Sequence, residues 1–389
     1  MLQPAAVTDT LTAFAESKLA ALDAQSLLRR LQPTRREDGL WVERGGRRLL
    51  SFSCNDYLNL SHHPAVKAAA VAAIEAHGAG AGASRLVTGD HPLLAALEAR
   101  LALLKGTEAA CLFGSGYLAN TGLIPTLVGP EDVVFVDALA HSCIWAGARL
   151  SGAMVIAFEH NDVEDLARRM VEARPGARRA LVATDGVFSM DGDLAPLQAL
   201  SDLCAAHDAW LMTDDAHGVG VLGDGAGSAA LAPDARIPLQ MGTLSKALGS
   251  YGAYVCASGP VVDLLKSRAR TLVYSTALPP ASAAAALAAL DVIETDPDLC
   301  GRPVRKARAF TRALNLPDAA SPIVPILLGD AERALAAARA LEDQGFLAVA
   351  IRPPTVPAGT ARLRLAFTAG HSDEAVAELA GAVRRLLAA

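Results

Sequence analysis

Between residues 109 and 257 the chain repeats one pattern: a short apolar run, a glycine or acidic residue at its end, then a polar or helical stretch. The runs are AACLF, DVVFVD, MVIAF, ALVATD, AWLMTDD, IPLQMG and YVCAS, and stretches such as DVEDLARRMVEA and LAPLQALSDLCAAH lie between them with helical periodicity. Near-continuous apolar strands alternating with helices predict a mostly parallel α/β sheet covered on both faces. Ligands of such sheets bind at the carboxyl ends of the strands. The residues that follow each run are therefore the ones to inspect.

Upstream, the spacing predicts a helical arm over residues 5–31, closed by Gln32-Pro33, and then a hairpin turning at Gly45-Gly46 within GLWVERGGRRLLSFS. CNDYLNLSHHP reads as a loop, PAVKAAAVAAIEAHG as a helix stopped by Gly78, GAGASRLVTGDH as a ligand-facing loop, and HPLLAALEARLALLKG as an amphipathic helix. Past Pro279-Pro280 an Ala/Leu helix leads into fewer strands mixed with helices, the texture of a smaller α+β lobe. The expected division is an arm and the start of the hairpin over 1–45, a large domain over 46–285 and a small domain over 286–389.

Composition narrows the function classes. A net charge of -6 gives no basic footprint for nucleic acid. Six scattered cysteines without a C-x-x-C pair suggest reduced thiols rather than a disulfide framework. No run is long enough to cross a membrane and MLQPAAVTDTLTAF lacks the build of a signal peptide, so the expected compartment is the cytoplasm. No metal is expected: the histidines, among them His62, His63, His77 and His160, show no ligand spacing. There is also no G-x-S-x-G elbow.

One lysine stands out chemically. Lys246 follows IPLQMG in a small-residue turn, TLSKALGSYG, where an amine shielded from water suits Schiff-base chemistry. Thirty-two residues earlier, Asp214 ends AWLMT and is followed by Asp215, Ala216, His217 and the glycine-rich GVGVLGDGAG. A Schiff-base lysine, an acid for a pyridinium nitrogen and a phosphate cradle are what pyridoxal phosphate requires. FGSGYLA, opening a helix after AACL, offers the cradle. The same G-S-G-Y-L-A also matches a dinucleotide fingerprint, with Asp137 placed about 20 residues on for a ribose, so an NAD-dependent dehydrogenase is the competing reading. That reading leaves Lys246 and the Asp-Asp-Ala-His run without work. His141, in ALAHSC, could stack on a cofactor ring, and Arg352, in AIRPPTVP, could capture a carboxylate in a bidentate fork.

Taken together, CNDYLNLSHHP, GAGASRLVTGDH, FGSGYLAN, ALAHSCI, DGVFSMDGDLAPL, TDDAHGVGVLG, TLSKALGSYG, YSTALPP and AIRPPTVPAGTARLRL make the chain resemble the α-oxoamine synthases from about residue 20 onward. The resemblance implies a fold-type I, aspartate aminotransferase-like α/β transferase with pyridoxal 5'-phosphate as cofactor and two subunits sharing their active sites. It implies that Lys246 holds the cofactor and abstracts the substrate α-proton, that Asp214 pairs with the ring nitrogen, and that His217 and Ser189 lie on the ring hydroxyl side. His141 would stack on the ring; Gly116, Tyr117 and Thr243 would hold the cofactor and its phosphate, with Thr276 reaching the phosphate of a neighbouring subunit. Arg352 would bind the amino-acid carboxylate near Asn55, and Arg29 and Thr355 would line the acyl side. Within the family, the loops look closest to the branch that joins L-alanine to a pimeloyl thioester, carried on coenzyme A or acyl carrier protein, in biotin synthesis. Branches using glycine or serine remain the alternatives. Asn59 stands where that family usually has glycine.

Overall fold

The computed structural model describes residues 10–388, so residues 5–9 of the expected arm lie outside the described part. The helix runs Thr10–Ala24 with none of its side chains buried. It ends before the LLRRL stretch because Ser26 takes a left-handed backbone, φ 54, which a right-handed helix cannot continue through. Residues 27–33 follow without regular structure.

Three strands come next: β1 (Thr34–Arg36), β2 (Trp41–Arg44) and β3 (Arg47–Ser51). β2 and β3 form the expected hairpin. Gly45 and Gly46 both have positive φ, 57° and 76°, the two-residue turn whose twist matches antiparallel strands.

All seven apolar runs become strands of one sheet: β4 (Ala109–Phe113), β5 (Val133–Asp137), β6 (Met154–Phe158), β7 (Ala180–Asp185), β8 (Trp210–Asp214), β9 (Leu239–Thr243) and β10 (Ala253–Ala257). Their order is β4-β10-β9-β8-β7-β5-β6. β10 runs antiparallel to both neighbours and the remaining pairs are parallel. Helices such as Gly116–Leu127 and Pro92–Lys105 cover the faces, which is why the central strands carry apolar residues on both sides.

This order removes the dinucleotide reading. The G-S-G-Y-L-A loop leaves β4, an edge strand paired among the described residues with antiparallel β10 alone, while Asp137 ends β5, with four strands between them. A dinucleotide fingerprint needs its loop and its ribose-binding acid on adjacent parallel strands of one βαβ unit.

The C-terminal part adds β11 (Ile323–Gly329), β12 (Phe346–Leu347), β13 (Val349–Ile351) and β14 (Ala361–Ala366). β11, β14 and β13 form an antiparallel sheet in that order, packed by the helices Arg302–Ala313, Ala331–Glu342 and Asp373–Ala388. β12 pairs in parallel with β3, so the N-terminal hairpin is stitched to this lobe. Phe52, just after β3, is fully buried there: it stacks on His371 at 4.0 Å and meets Phe367 edge-on at 5.5 Å. Burial pushes the His371 imidazole down to about 4, keeping it neutral inside the core. Asn59 adopts φ 57, ψ 25, the left-handed region that asparagine tolerates best after glycine. Its amide also ties Gly39 to Gly370, through bonds of 3.2 and 2.7 Å. No helix among the described residues is long and apolar enough to cross a membrane.

Truncating Phe52 would empty the joint between hairpin and small lobe. Phe52→Ala is expected to cost about 3–5 kcal/mol, the usual range for a buried aromatic cut to alanine. Urea unfolding followed by tryptophan fluorescence measures this, and an unchanged midpoint would contradict the packing described.

Candidate active site

The carboxyl ends of β7, β8 and β9 open into a chamber of about 280 Å³. Asp214, last residue of β8, is buried at its floor. One carboxylate oxygen accepts from the Asn120 side-chain amide at 2.7 Å, the other from the backbone N–H of Ala216 at 3.0 Å. Lys246 enters the same chamber from the turn after β9, and His141, His217, Thr243, Gly116 and Tyr117 also line it. The turn is held by Thr243, whose hydroxyl donates to the Gly252 carbonyl at 2.9 Å while accepting the Ser245 N–H at 3.2 Å.

The electrostatics of the chamber are unusual. Burial lowers the Lys246 amine below the ordinary lysine range, with the carboxylates of Asp214 and Asp185 pulling only partly the other way. No carboxylate lies within ion-pair distance of Lys246 among the described residues, so the amine is shielded yet unclaimed. His141 is reached by solvent through the chamber mouth, but surrounding protein still lowers its pKa, against the pull of Asp214. His217 is buried, and burial followed by the nearby Lys246 charge pushes it well below the histidine range. Asp185 is driven the opposite way, well above the carboxylate range, by burial and then by the charge of Asp214; it accepts the His141 backbone N–H at 2.7 Å. Two neutral imidazoles, one carboxyl biased toward its protonated form, and one amine biased toward its free form therefore surround Asp214.

The far wall offers an anion seat. Ser115 caps the helix Gly116–Leu127, its hydroxyl accepting from Leu118 N at 3.2 Å. The first amides of that helix, those of Gly116 and Tyr117, have no acceptor within the helix and suit a phosphate. The hydroxyls of Thr243 and Ser245 line the same chamber.

A second chamber of about 260 Å³ shares Asn55, His141, His217 and Lys246 with the first and is bounded by Ser189 and Arg364. Arg364, on β14, is buried. Its Nε donates to the Ser189 carbonyl, and its Nη atoms reach Asn55 Oδ1 at 3.0 Å and the Tyr57 hydroxyl at 3.4 Å. That hydroxyl lies 2.6 Å from His217 Nδ1. A buried guanidinium beside the lysine is the natural anchor for a substrate carboxylate, and the sequence reading did not single it out. Arg352, which the sequence suggests for that role, has its guanidinium donating to the Ser26 carbonyl and borders neither chamber.

From His141 and Ser189 a larger groove of about 780 Å³ extends to Arg29 and Thr355, whose side chains bond to each other at 2.7 Å. Thr276 lies elsewhere, exposed and bridged to Ser84, beside a small cavity that also touches Gly114. Besides Arg364, the reading from sequence missed Asn120 and Asp185. Asn120 carries a signal: an amide side chain four positions after Gly116 in a mostly apolar helix, GYLANTGLIPTL.

His160 joins two walls of the groove. Its ring nitrogens reach Asp137 at 3.0 Å, at the end of β5 ahead of His141, and Asp193 at 2.8 Å, just after the Ser189–Asp191 turn. Burial opposes its charge, but bonds to the two carboxylates and their charges outweigh that and raise it to about 10.

The aminotransferase class I and II family matches residues 47–383. A relative from Methylocella silvestris named 8-amino-7-oxononanoate synthase is 66% identical over 89% of this chain and 99% of its own length. One of the same name from Beijerinckia indica is 62% identical over 98% and 99%. A serine palmitoyltransferase variant from S. paucimobilis, solved with a bound PLP-myriocin aldimine, superposes with a TM-score of 0.91 at 28% identity, covering 98% of this chain and all of that one.

The His160 bridge has a pH signature. An imidazole lifted from 6.5 to about 10 stabilises the fold fully below pH 6.5 and progressively less up to about 10. Thermal unfolding of the wild type and His160→Gln between pH 6 and 10.5 should show a gap that narrows with rising pH; a constant gap would refute it.

Proposed function

Because the chain belongs to the aminotransferase class I and II family, matched over residues 47–383, we propose that it is a pyridoxal phosphate-dependent C-acyltransferase, an 8-amino-7-oxononanoate synthase of biotin synthesis. It would join L-alanine to a pimeloyl thioester on coenzyme A or acyl carrier protein, releasing carbon dioxide and the free thiol. The observation that carries this reading is the meeting of Lys246, Asp214 and His141 in one chamber with Arg364 in the next, in a chain whose near-full-length relatives bear that name.

The residues fit the cofactor. Lys246 is a shielded amine without a carboxylate partner among the described residues, Asp214 is a fixed carboxylate at the chamber floor, and the amides of Gly116 and Tyr117 with Thr243 make an anion seat. When bound, pyridoxal phosphate supplies an electron sink for the pair left on the amino-acid α-carbon and again when the carboxylate departs. Asp214 would keep the ring nitrogen protonated, held in place by Asn120 and Ala216 N. Lys246, its pKa lowered by burial, would take the α-proton at Nζ. Arg364 would fix the alanine carboxylate, with Asn55 and Tyr57 orienting its guanidinium. His141 would cover one face of the ring, while Ser189 and His217 would border its hydroxyl side. The acyl chain would lie in the groove toward Arg29 and Thr355.

The reading includes a homodimer in the cytoplasm. The apolar side chains of the helix Thr10–Ala24, Leu11, Phe14 and Leu19, and the aromatic rings of Tyr117, Tyr251 and Tyr274 are exposed in the single chain, which supports a second copy covering them. Thr276 would then meet the neighbour's phosphate. The likeness to serine palmitoyltransferase supports a second reading within the same chemistry, with serine and a longer acyl thioester as substrates.

Mass spectrometry separates these readings. Protein loaded with pyridoxal phosphate, offered pimeloyl-CoA with alanine, glycine and serine at equal concentration, should yield the decarboxylated amino ketone of alanine, and Lys246→Ala should yield none. A serine-derived product would select the second reading; no product from either the coenzyme A or the carrier-protein thioester would refute both. Arg364→Lys keeps the charge but loses the fork, so KM for alanine should rise about 10–100-fold, the worth of a charge-assisted bond. Steady-state kinetics check this, and an unchanged KM would remove Arg364 from the carboxylate site.

A further inference from the structure

The glycine-rich stretch GVGVLGDGAG and the second acid of the Asp214-Asp215 pair have no part in the chemistry above. The structure joins them through a residue from a distant helix. Lys105, in the last turn of the helix Pro92–Lys105, is buried, and its ammonium lies 2.9 Å from Asp215 Oδ2, with side-chain exposures of 1% and 0%. The same ammonium donates to the Ala226 carbonyl at 2.5 Å. Asp215 also accepts the Ser228 backbone N–H with both oxygens, at 3.1 and 3.0 Å. The carboxylate thus ties the start of the 215–228 segment to its end, and the ammonium closes it from behind.

The glycines are explained by this knot. A Cβ at Gly218 would come 2.0 Å from Asp215 Oδ1, and one at Gly227 would come 1.7 Å from Oδ2 and 3.0 Å from Lys105 Nζ. One at Gly186, just beyond β7, would come 2.9 Å from Oδ1. Backbone packs against the carboxylate on several sides, which only glycine allows. The segment held this way carries two pieces of the candidate site: the Ala216 N–H that fixes Asp214, and His217.

We propose that Lys105 and Asp215 act on the cofactor site as a charge-balanced buried pair: each cancels the other's charge beside Asp214 and His217, which lie at the start of the segment the pair ties. It rests on the pyridoxal phosphate reading above. Neutrality is the essential feature, because Asp215 adjoins Asp214 in sequence and a net charge left there would be felt at the cofactor. Removing one partner of a buried pair leaves the other uncompensated, whereas removing both leaves no net charge.

The test uses the full chain and pyridoxal phosphate itself, comparing Lys105→Met, Asp215→Asn and the double variant. Two readouts are taken, the cofactor Kd and the pH midpoint of the visible absorbance of the loaded protein. Lys105→Met leaves a negative charge, which favours protonation nearby and should raise the midpoint; Asp215→Asn leaves a positive charge and should lower it, each by about half a unit or more. Each single variant should weaken cofactor binding about tenfold, and the double should return to within about threefold of wild type. A general loosening of the fold would move both singles the same way and would not be rescued, and that result overturns the proposal, as does no shift in either. If Lys105→Met fails to fold, the proposal stands or falls on a lowered midpoint in Asp215→Asn and a wild-type midpoint in the double. A wild type that binds no pyridoxal phosphate would overturn the functional reading and this proposal together; normal wild-type binding with unmoved variants overturns this one alone.

Discussion

Everything at the candidate site depends on a carboxylate kept in the interior at the end of a central strand. Burying an ionised group is costly unless its charge is answered. Asp214 is answered by an amide from Asn120 and a backbone N–H from Ala216. The cationic groups nearby are placed to respond to it without neutralising it: Lys246 shares the chamber yet forms no ion pair among the described residues, and burial biases its amine toward the free form. The site thus combines a carboxylate fixed in place with an amine whose pKa burial lowers. A surface lysine paired with a surface aspartate would have neither property, because solvent would supply the stabilisation that the fold withholds here.

The sheet order is what brings these groups together. β8 and β9 are adjacent and parallel, so Asp214 and the turn that bears Lys246 leave the same edge of the sheet although 32 residues separate them in sequence. β7 lies on the other side of β8 and contributes Asp185. β4 sits at the sheet's edge beyond antiparallel β10, and the helix after it delivers both the anion seat and Asn120. The second lobe supplies Arg364 from β14, and the pairing of β3 with β12 ties the loop that carries Asn55 and Tyr57 to the same lobe.

Much of this was legible in the sequence because it depends on local pattern. Fully buried parallel strands read as continuous apolar runs, and all seven runs form strands. Strand-end acids and the lysine turn stand out because charged residues beside such runs need a reason. What escaped the reading depends on tertiary context. In ARLRLA the arginines alternate with apolar residues, which suggests one buried and one solvent face. Both faces of β14 are in fact buried, because Arg362 and Arg364 point at the 189–191 turn of the large lobe, and no single-strand pattern reveals an opposing lobe. The stretch LLRRL has helical spacing, but Ser26 reverses the backbone before it. The G-S-G-Y-L-A loop is the converse case: a local motif with an acid at the right distance, disfavoured in the sequence by the unused Lys246 and excluded by a sheet order that puts four strands between β4 and β5.

The position of Arg364 bears on how two lobes could cooperate in one reaction. Its Nε holds the Ser189 carbonyl of the large lobe, and its Nη atoms reach Asn55 and Tyr57 in the loop that follows the hairpin. The Tyr57 hydroxyl in turn contacts His217, in the segment that also fixes Asp214. A carboxylate bound at Arg364 would compete for hydrogens now spent on neutral oxygens, and a charged acceptor forms the stronger bond. Occupancy of an amino-acid site at Arg364, as proposed, would therefore be linked through Tyr57 to His217. The guanidinium that would orient the substrate is also the one that joins both lobes, so a substrate carboxylate bound there would act on the contact between them.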